Sequence, residues 1–512
     1  MISNCELRNA NCELSSVKRP KFAIRISHFA TRLACAFLIA ASLAISAAAA
    51  ADLPTDLQQR RARFMENLGS ESMLILWSAP MRVYSNDVDY EYRQDSNFYY
   101  LTAIDQPESI LVLMPGNRTR KEILFVKPRD PVREHWEGQR LSPEKAVHES
   151  GISTVYLTTE FEPFLNAVLS GRPYGSGSSE QDFAPFFTAL RNNKAQIAVV
   201  GPPPGASGQL PESYVFVNKL RERFSGLQMR DVTRIFRDLR LIKTDYERSL
   251  LEESARISSE AHVAGMKAAR PGAYEYEVEA AIEYTFKKNG ADWGYPSIVA
   301  SGPNATILHY QKSSRRMENG DLLLVDAGSA YKYMTVDITR TYPINGKFTE
   351  AQKDIYDVVL RAQEEGIKAA KMGARLSDVH QRTVEVIKDG LFKLGLITDT
   401  SGNQYQTWYT HNACHWIGID VHDVGDRNRP LADGMAFTIE PGIYIRPEIL
   451  NSLPKTAENE AFARKIQPAF EKYKNIGVRI EDSFLITGGT LKRLSASVPR
   501  TTEEIEALMR SR

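Results

Sequence analysis

The chain has 512 residues, 43% of them hydrophobic and 25% charged, the balance of a globular protein with a sizeable core spread over two to three domains. Its formal net charge is only +1, so no global field recruits nucleic acid or acidic partners. Three of the four cysteines, Cys5, Cys12 and Cys35, precede the folded part, which excludes a disulfide framework once that front is removed.

The front reads as a targeting signal. Lys18, Arg19, Lys21, Arg25 and Arg32 form a basic region, and an uncharged run over 33–51 follows, ending in small residues that a signal peptidase accepts. An uncleaved anchor is the alternative, since the run is nearly long enough to span a bilayer. Its last third is alanine rather than leucine, which favours cleavage. Cys35 has no apolar run before it, which argues against lipidation. The expectation is a signal peptide over 1–51 and an exported chain, periplasmic or secreted, with no stable membrane association after cleavage.

From residue 53 to about 235 the pattern is mixed α/β, with strands expected at 73–77, 109–114, 122–126 and 196–200. Residues 87–100 are dense in aromatic and charged groups, and the stretches 171–180 and 201–211 read as loops. The character changes near 241–244, which sets a smaller N-terminal α/β domain at 52–240 and a second domain at 241–512. Thr244 and Glu247 form a capping box that opens a helix running to about Ala269, and Pro271-Gly272 ends it. A second helix spans about 276–288. Thr349 and Gln352 form another box, opening a helix that ends near Gly373, with a partner over 377–394. Two units of a helix pair followed by strands, with weakly similar sequences, hint at internal duplication.

The second domain centres on DLLLVDAGSAYKYMTVDITRTY, residues 321–342. Its apolar run reads as a strand buried on both faces and ends in Asp326; Asp337 follows eleven positions later. A hairpin turning near Tyr331-Lys332 would set the two carboxylates face to face, about 5 Å apart. Two buried carboxylates that close repel, and a divalent cation removes the penalty. A plain turn at Asp326 with Asp337 as a surface charge is the other reading. His415, Glu440 and Glu481 also sit in or beside apolar, strand-like runs, where a lone charged group is costly unless paired. Singly, Glu440 could begin a turn, Glu481 could pair with Arg479, and His415 could be a core histidine. Together, four carboxylates and one imidazole suit Mn²⁺, Co²⁺, Fe²⁺ or Zn²⁺ in a two-metal site.

The order DAG…DITRT…HWIGIDVHD…TIEPGIYI…VRIED resembles the catalytic domain of the proline-specific metallopeptidases, aminopeptidase P and prolidase, from about Thr244 to the C-terminus. The aromatic segment 87–100 and HWEGQRL at 135–141 resemble the N-terminal domain of aminopeptidase P. The resemblance implies an α+β fold, a pita-bread catalytic domain of the creatinase and methionine-aminopeptidase type behind a smaller α/β domain. It implies two divalent ions, manganese first, with Asp337 and Glu481 bridging, Asp326 completing one sphere, and His415 and Glu440 the other. A water bridging two cations loses proton affinity and becomes a nucleophile near neutral pH, and Glu440 is the natural base to receive its proton. His309, His411 and His422 match the family's other catalytic histidines, His309 and His422 also contacting substrate. Arg479 matches a catalytic arginine, while Asp87 and Tyr444 are implied on the substrate. Trp136 matches a residue that reaches a neighbouring subunit's site in family tetramers, which implies a homo-oligomer, dimer or tetramer; a core aromatic is the alternative.

The chain departs from the family at Asn412, at Cys414, and at Tyr333 and Val336, where the hairpin usually has glycines. Cys414 offers a soft ligand, but its place beside His415, which on a strand points its side chain the other way, disfavours that role. Residues 446–475 form an insert whose Ala461, Phe462, Ile466, Ala469 and Phe470 recur at near-helical spacing, with Pro468 expected to kink or end the helix. It would be either a lid over the cleft or a surface excursion packed elsewhere. The reading is an exported dinuclear-metal aminopeptidase acting on peptides with proline second. Prolidase, a metal-free amidinohydrolase and a silent binding module of the same fold are the alternatives, the last two disfavoured by the intact ligand set.

Overall fold

Apolar runs at the start of the chain become a mixed sheet covered on both faces. This computed structural model describes residues 52–201 and 208–511; the signal-like segment with Cys5, Cys12 and Cys35, and residues 202–207 of the expected 201–211 loop, lie outside them. Helix α1 (Leu53–Leu68) starts at Asp52, whose side chain accepts from Thr55 N at 3.1 Å. Strands β1 (Ser72–Trp77), β4 (Ile110–Leu113), β5 (Glu122–Val126), β6 (Thr154–Leu157), β7 (Gln196–Val199) and β8 (Gln228–Asp231) form one sheet in the order β6-β5-β4-β1-β7-β8. A short exposed hairpin, β2 (Val83–Ser85) with β3 (Val88–Asp89), projects from it, followed by α2 (Ser96–Thr102). Successive side chains of a strand point to opposite faces. Leu74, Leu111 and Leu124 accordingly enter one core, and Ile75, Val112 and Phe125 another. The first core also takes Leu251, Met334, Val336, Ile338 and Ile417, so the sheet's inner face is seated on the second half of the chain.

A surface turn of helix, α3 (Pro131–Glu137), carries Trp136, and α4 (Thr233–Leu241) leads into the second half. There α5 (Asp245–Ala268) pairs with α6 (Glu275–Lys288), and α7 (Glu350–Ala369) with α8 (Leu376–Lys393). Both capping boxes form as the sequence implies, at Thr244 with Glu247 and at Thr349 with Gln352. Each helix pair is followed by strands. After the first come β9 (Asp292–Trp293), β10 (Ile298–Ser301), β11 (Leu322–Asp326), β12 (Ser329–Tyr331), β13 (Met334–Thr335) and β14 (Thr339–Pro343). After the second come β15 (Ala436–Ile439), β16 (Gly442–Tyr444), β17 (Gly477–Arg479), β18 (Asp482–Thr487) and β19 (Thr490–Arg493). The two sets meet where Glu481 N donates to Thr339 O at 3.0 Å.

The hairpin register differs from the expectation by one turn residue. Asp326 lies opposite Thr339, and Tyr331 opposite Met334, so the turn falls on Lys332-Tyr333. Both have positive φ, 47° and 70°, as a two-residue turn of the primed type demands. Asp337 is therefore a diagonal neighbour of Asp326 on the same face rather than its direct partner. Tyr333 holds a left-handed conformation without being glycine because its side chain is gripped: the ring stacks on Tyr99 at 3.7 Å, the hydroxyl donates to Asp105 at 2.6 Å and accepts from Gln94 N at 2.8 Å. Gly328 has no such latitude, since a Cβ there would lie 1.9 Å from Val336 O.

The insert forms α9 (Ala457–Tyr473), and it runs through Pro468 without ending. Phe462, Ile466, Phe470 and Tyr473 are buried in the main core, Phe470 beside Trp408. Its apolar face is committed to the interior, as in the surface-excursion reading.

Candidate metal centre

Four carboxylates at strand ends and one imidazole on an irregular segment converge. Asp326 closes β11, Asp337 stands between β13 and β14, Glu440 follows β15, and Glu481 lies between β17 and β18. His415 is not on a strand as expected; it sits in an irregular segment fixed to β15 by Thr438, whose N–H donates to His415 O at 2.9 Å and whose hydroxyl accepts from His415 N at 3.2 Å. These five groups, with Arg479, His309, His411 and His422, line one cavity of about 400 Å³. Hollows of about 510 and 720 Å³ elsewhere gather no comparable set of ligand atoms among the described residues.

The ligand-type atoms fall into overlapping groups. One oxygen each of Asp326, Asp337 and Glu481 lie within 4.8 Å of one another; so do atoms of His415, Glu440 and Glu481, and of Asp337, His415 and His422. Nε2 of His415 stands 3.4 Å from Asp337 Oδ2, 3.4 Å from Glu440 Oε1 and 3.7 Å from Glu481 Oε1. Nδ1–H of His415 donates to the Trp416 carbonyl at 3.1 Å, so Nε2 is the free lone pair of the neutral ring. A lone pair aimed at three carboxylates is repulsive unless a cation or proton intervenes. Burial pushes Glu440 up to about 7 and Asp326 up to about 6, and it raises Glu481 well above the carboxylate range. Burial alone would lower His415, but the carboxylates of Asp337, Glu481 and Glu440 around its Nε2 raise it well above an ordinary imidazole, so that nitrogen draws a proton where no cation stands. Glu481 Oε1 is buried and has no hydrogen-bond partner. The pocket holds more negative charge than its own side chains can balance, and its donors are oxygens with one imidazole; that donor set fits divalent cations.

A second layer fixes these groups. Arg479 donates through Nη2 to Asp326, through Nε to Thr339 Oγ1 at 3.1 Å, and through Nη1 to the Tyr444 hydroxyl at 2.9 Å. Thr339 in turn donates to Glu481 Oε2 at 2.7 Å. The Tyr444 hydroxyl donates to Nε2 of His411 at 2.8 Å, and Nδ1–H of His411 donates to Asn412 O at 2.9 Å, with Glu440 Oε2 3.6 Å away. Burial, then the Arg479 charge, holds His411 down to about 3, so it stays neutral.

Tyr295 escaped the sequence reading. Its hydroxyl reaches Asp326 Oδ1 at 2.7 Å and Asp337 Oδ1 as well, yet a phenol has one proton and can serve only one of them at a time. Nothing in its spacing singles it out; it stands alone between Gly294 and Pro296.

Two expected substrate residues are placed otherwise. Asp87 is exposed at the tip of the β2–β3 hairpin and is not brought to the cavity. Tyr444 lies behind the wall, only 5% exposed, with its hydroxyl engaged on both sides within the protein. His309 and His422 do line the cavity and are exposed within it, with His422 edge-on to His415, ring centres 4.4 Å apart. Cys414 is buried against the cavity, its thiol pushed well up by burial. Trp136, 81% exposed on α3, is no core aromatic.

A duplicated helix-and-strand frame closing on clustered carboxylates and imidazoles defines a metallohydrolase. The model of metallopeptidase family M24 matches residues 249–488, and that of the aminopeptidase P N-terminal domain matches 57–174. The Xaa-Pro aminopeptidase of Haemophilus influenzae is 34% identical over 474 residues, 90% of this chain and 98% of its own. The aminopeptidase PepP structure from Pseudomonas aeruginosa has a TM-score of 0.74 at 34% identity, covering 90% of this chain and 98% of its own. A zinc-substituted Escherichia coli aminopeptidase P with bound product gives 0.74 at 33%, covering 89% and 98%. The chain belongs to metallopeptidase family M24 and is a metallo-aminopeptidase, with an aminopeptidase P type N-terminal domain preceding the pita-bread domain.

Proposed function

We propose that the protein removes an N-terminal residue from peptides whose second residue is proline, using two divalent cations, with manganese the first candidate and cobalt, zinc or iron the others. The observation that carries the reading is the cavity in which Asp326, Asp337, His415, Glu440 and Glu481 converge around a free imidazole lone pair and an unpartnered carboxylate oxygen. Asp337, Glu481 and His415 each belong to two of the overlapping ligand groups, and of these only the two carboxylates have a second oxygen to offer, which supports the bridging role for Asp337 and Glu481. Bound there, the cations would supply Lewis acidity and would lower the pKa of water enough for it to attack near neutral pH.

The chain's own groups then divide the work. Glu440, at the cavity wall beside His415, accepts the proton of the attacking water and returns it to the leaving proline nitrogen. His422, beside His415 at the cavity wall, donates to the oxygen that gains charge. His309 contacts substrate from the opposite segment. Neutral His411 is locked by Tyr444 and Asn412 and walls the cavity beside Glu440, its Nδ1 3.6 Å from Oε2. Arg479 holds Asp326 in orientation by a direct charged hydrogen bond.

Domain bounds at 52–240 and 241–512 suit the change of element pattern after β8. Export, with removal of residues 1–51, rests on the basic region and uncharged run of the sequence. Homo-oligomerisation rests on exposed Trp136 and on the exposed apolar side chains Val83, Tyr84 and Val88 of the β2–β3 hairpin; Asp87 lies on the same hairpin, where a neighbouring subunit could receive it.

The test is hydrolysis by purified, metal-loaded protein of Xaa-Pro-Xaa tripeptides against Xaa-Pro dipeptides. Cleavage of the tripeptide with release of the first residue is expected. Exclusive cleavage of dipeptides would make the protein a prolidase, and no cleavage of either would sink the reading.

A further inference from the structure

His415 and His422 are joined by residues 416–421, which form no strand, yet their rings meet edge-on at 4.4 Å. Something must fix that loop. Within the catalytic domain it is held by two backbone bonds, Ile417 N to Ala436 O at 3.1 Å and Thr335 N to Gly418 O at 2.7 Å, and by apolar packing of Trp416 on Phe437 and of Ile417 and Ile419 in the shared core. The other fastenings come from the N-terminal half and the connecting helix α4. Arg93 donates to Ile419 O at 3.0 Å and Ser96 to Asp420 Oδ1 at 2.7 Å. Arg240 of α4 reaches three acceptors at once: Asn97 Oδ1 at 2.9 Å, Asp420 Oδ2 at 2.6 Å, and Asp423. Lys243 completes the cluster, donating to Asp423 Oδ2 at 2.9 Å and to Arg240 O at 2.6 Å.

The cluster is balanced, two cations against two carboxylates, and the side chains of Arg240, Lys243 and Asp423 are only 1–2% exposed. Buried ion clusters of this kind add little net stability, because desolvation offsets their attraction; here the cluster's directional bonds define where the loop lies. The loop is folded tightly onto the cluster, since a Cβ on Gly418 would stand 2.0 Å from Asp423 Oδ2 and 2.7 Å from Lys243 Nζ. Asp423 directly follows His422 in the chain, so fixing its carboxylate fixes the peptide on which the imidazole rides.

We infer that Arg240 is a positioning residue for His422: by tying Asn97 of the N-terminal half to Asp420 and Asp423, it sets the His422 imidazole at its place beside His415. The N-terminal half thereby contributes to the catalytic geometry within one chain. The kinetic consequence rests on the peptidase reading above; the structural consequence does not.

Arg240→Met removes the tie while leaving Asp423 paired with Lys243. In metal-loaded protein, kcat should fall about tenfold with KM changed less than about twofold, since a displaced transition-state group is felt in kcat. In a His422→Ala background the same substitution should change kcat less than about twofold, because the group it acts through is gone; in a His309→Ala background the full loss should persist. A general structural defect would be equally costly in both backgrounds. Crystal structures of the wild type and Arg240→Met, both with manganese, supply a readout besides activity. The His422 ring should move from its edge contact while Asp337, His415 and Glu481 superpose. An unmoved His422, or equal losses in the two backgrounds, overturns the inference. Should the wild type cleave no Xaa-Pro peptide, the function reading falls and the crystallographic comparison alone decides. If Arg240→Met does not fold, Arg240→Lys, which keeps the charge but cannot span three acceptors, is read in the same way.

Discussion

At the scale of single residues, what sets the pocket apart is that its charges do not close among themselves. Asp326 leans on Arg479, whereas Glu481 Oε1 has no partner and His415 Nε2 faces only carboxylates. Asp337→Ala and Glu481→Ala should therefore lose bound metal along with activity, measured by elemental analysis beside a peptidase assay. His422→Ala should keep its metal and lose turnover by roughly two to four orders of magnitude; equal metal loss in all three variants would contradict the separation. His262 makes a different, pH-dependent contribution. It is fully buried on α5, its Nε2 bonded to Ala327 O at 2.9 Å, and burial, then the Arg340 charge, lowers it to about 4. A base held neutral in the fold but free to protonate when unfolded stabilises fully above pH 6.5, and the contribution is lost as pH falls from 6.5 toward 4. That loss is on the order of 3 kcal/mol. His262→Gln keeps a donor to Ala327 O without titrating, so its melting temperature should fall less steeply across that window than the wild type's; identical slopes would refute the assignment. The five converging positions were legible because a charged group inside an apolar run is costly, and that cost is visible in sequence. Tyr295 was not, because an aromatic beside proline has no such cost to betray it.

Elements whose signals are local were read well, and elements set by distant contacts were not. The capping boxes at Thr244 and Thr349 lie within three residues of what they cap, and both helices begin there. The hairpin turn slipped by one residue because Lys332-Tyr333 is chosen by Tyr99, Gln94 and Asp105, more than 200 positions earlier. The insert was legible as a helix from its apolar spacing, but the same spacing serves a lid and a docked helix alike. The core contacts of Phe462, Ile466 and Phe470 decide for docking. Phe470→Ala should cost about 3–5 kcal/mol in denaturant unfolding, as large-to-small changes in a packed core do. Kinetically, the variant should change the rates on di-, tri- and longer Xaa-Pro peptides by one common factor. A gain confined to longer substrates would restore the lid.

The molecule as a whole couples two halves through a shared apolar core, the Tyr333 hairpin and the buried Arg240 cluster. Its exposed Trp136 and β2–β3 hairpin leave apolar surface that a second copy would cover. Light scattering should find a dimer or tetramer, and Trp136→Glu should shift it toward monomer with reduced activity; a wild-type monomer of full activity would exclude a role for the neighbouring chain. The central claim, that the carboxylate cavity is a two-cation peptidase centre, is tested most directly by metal titration. Protein stripped by chelation is loaded stepwise with manganese while bound metal and hydrolysis of a Xaa-Pro-Xaa peptide are followed together. The account expects no activity in the stripped protein and a rise that levels at two ions per chain. Full activity in protein shown by elemental analysis to hold no metal would contradict it.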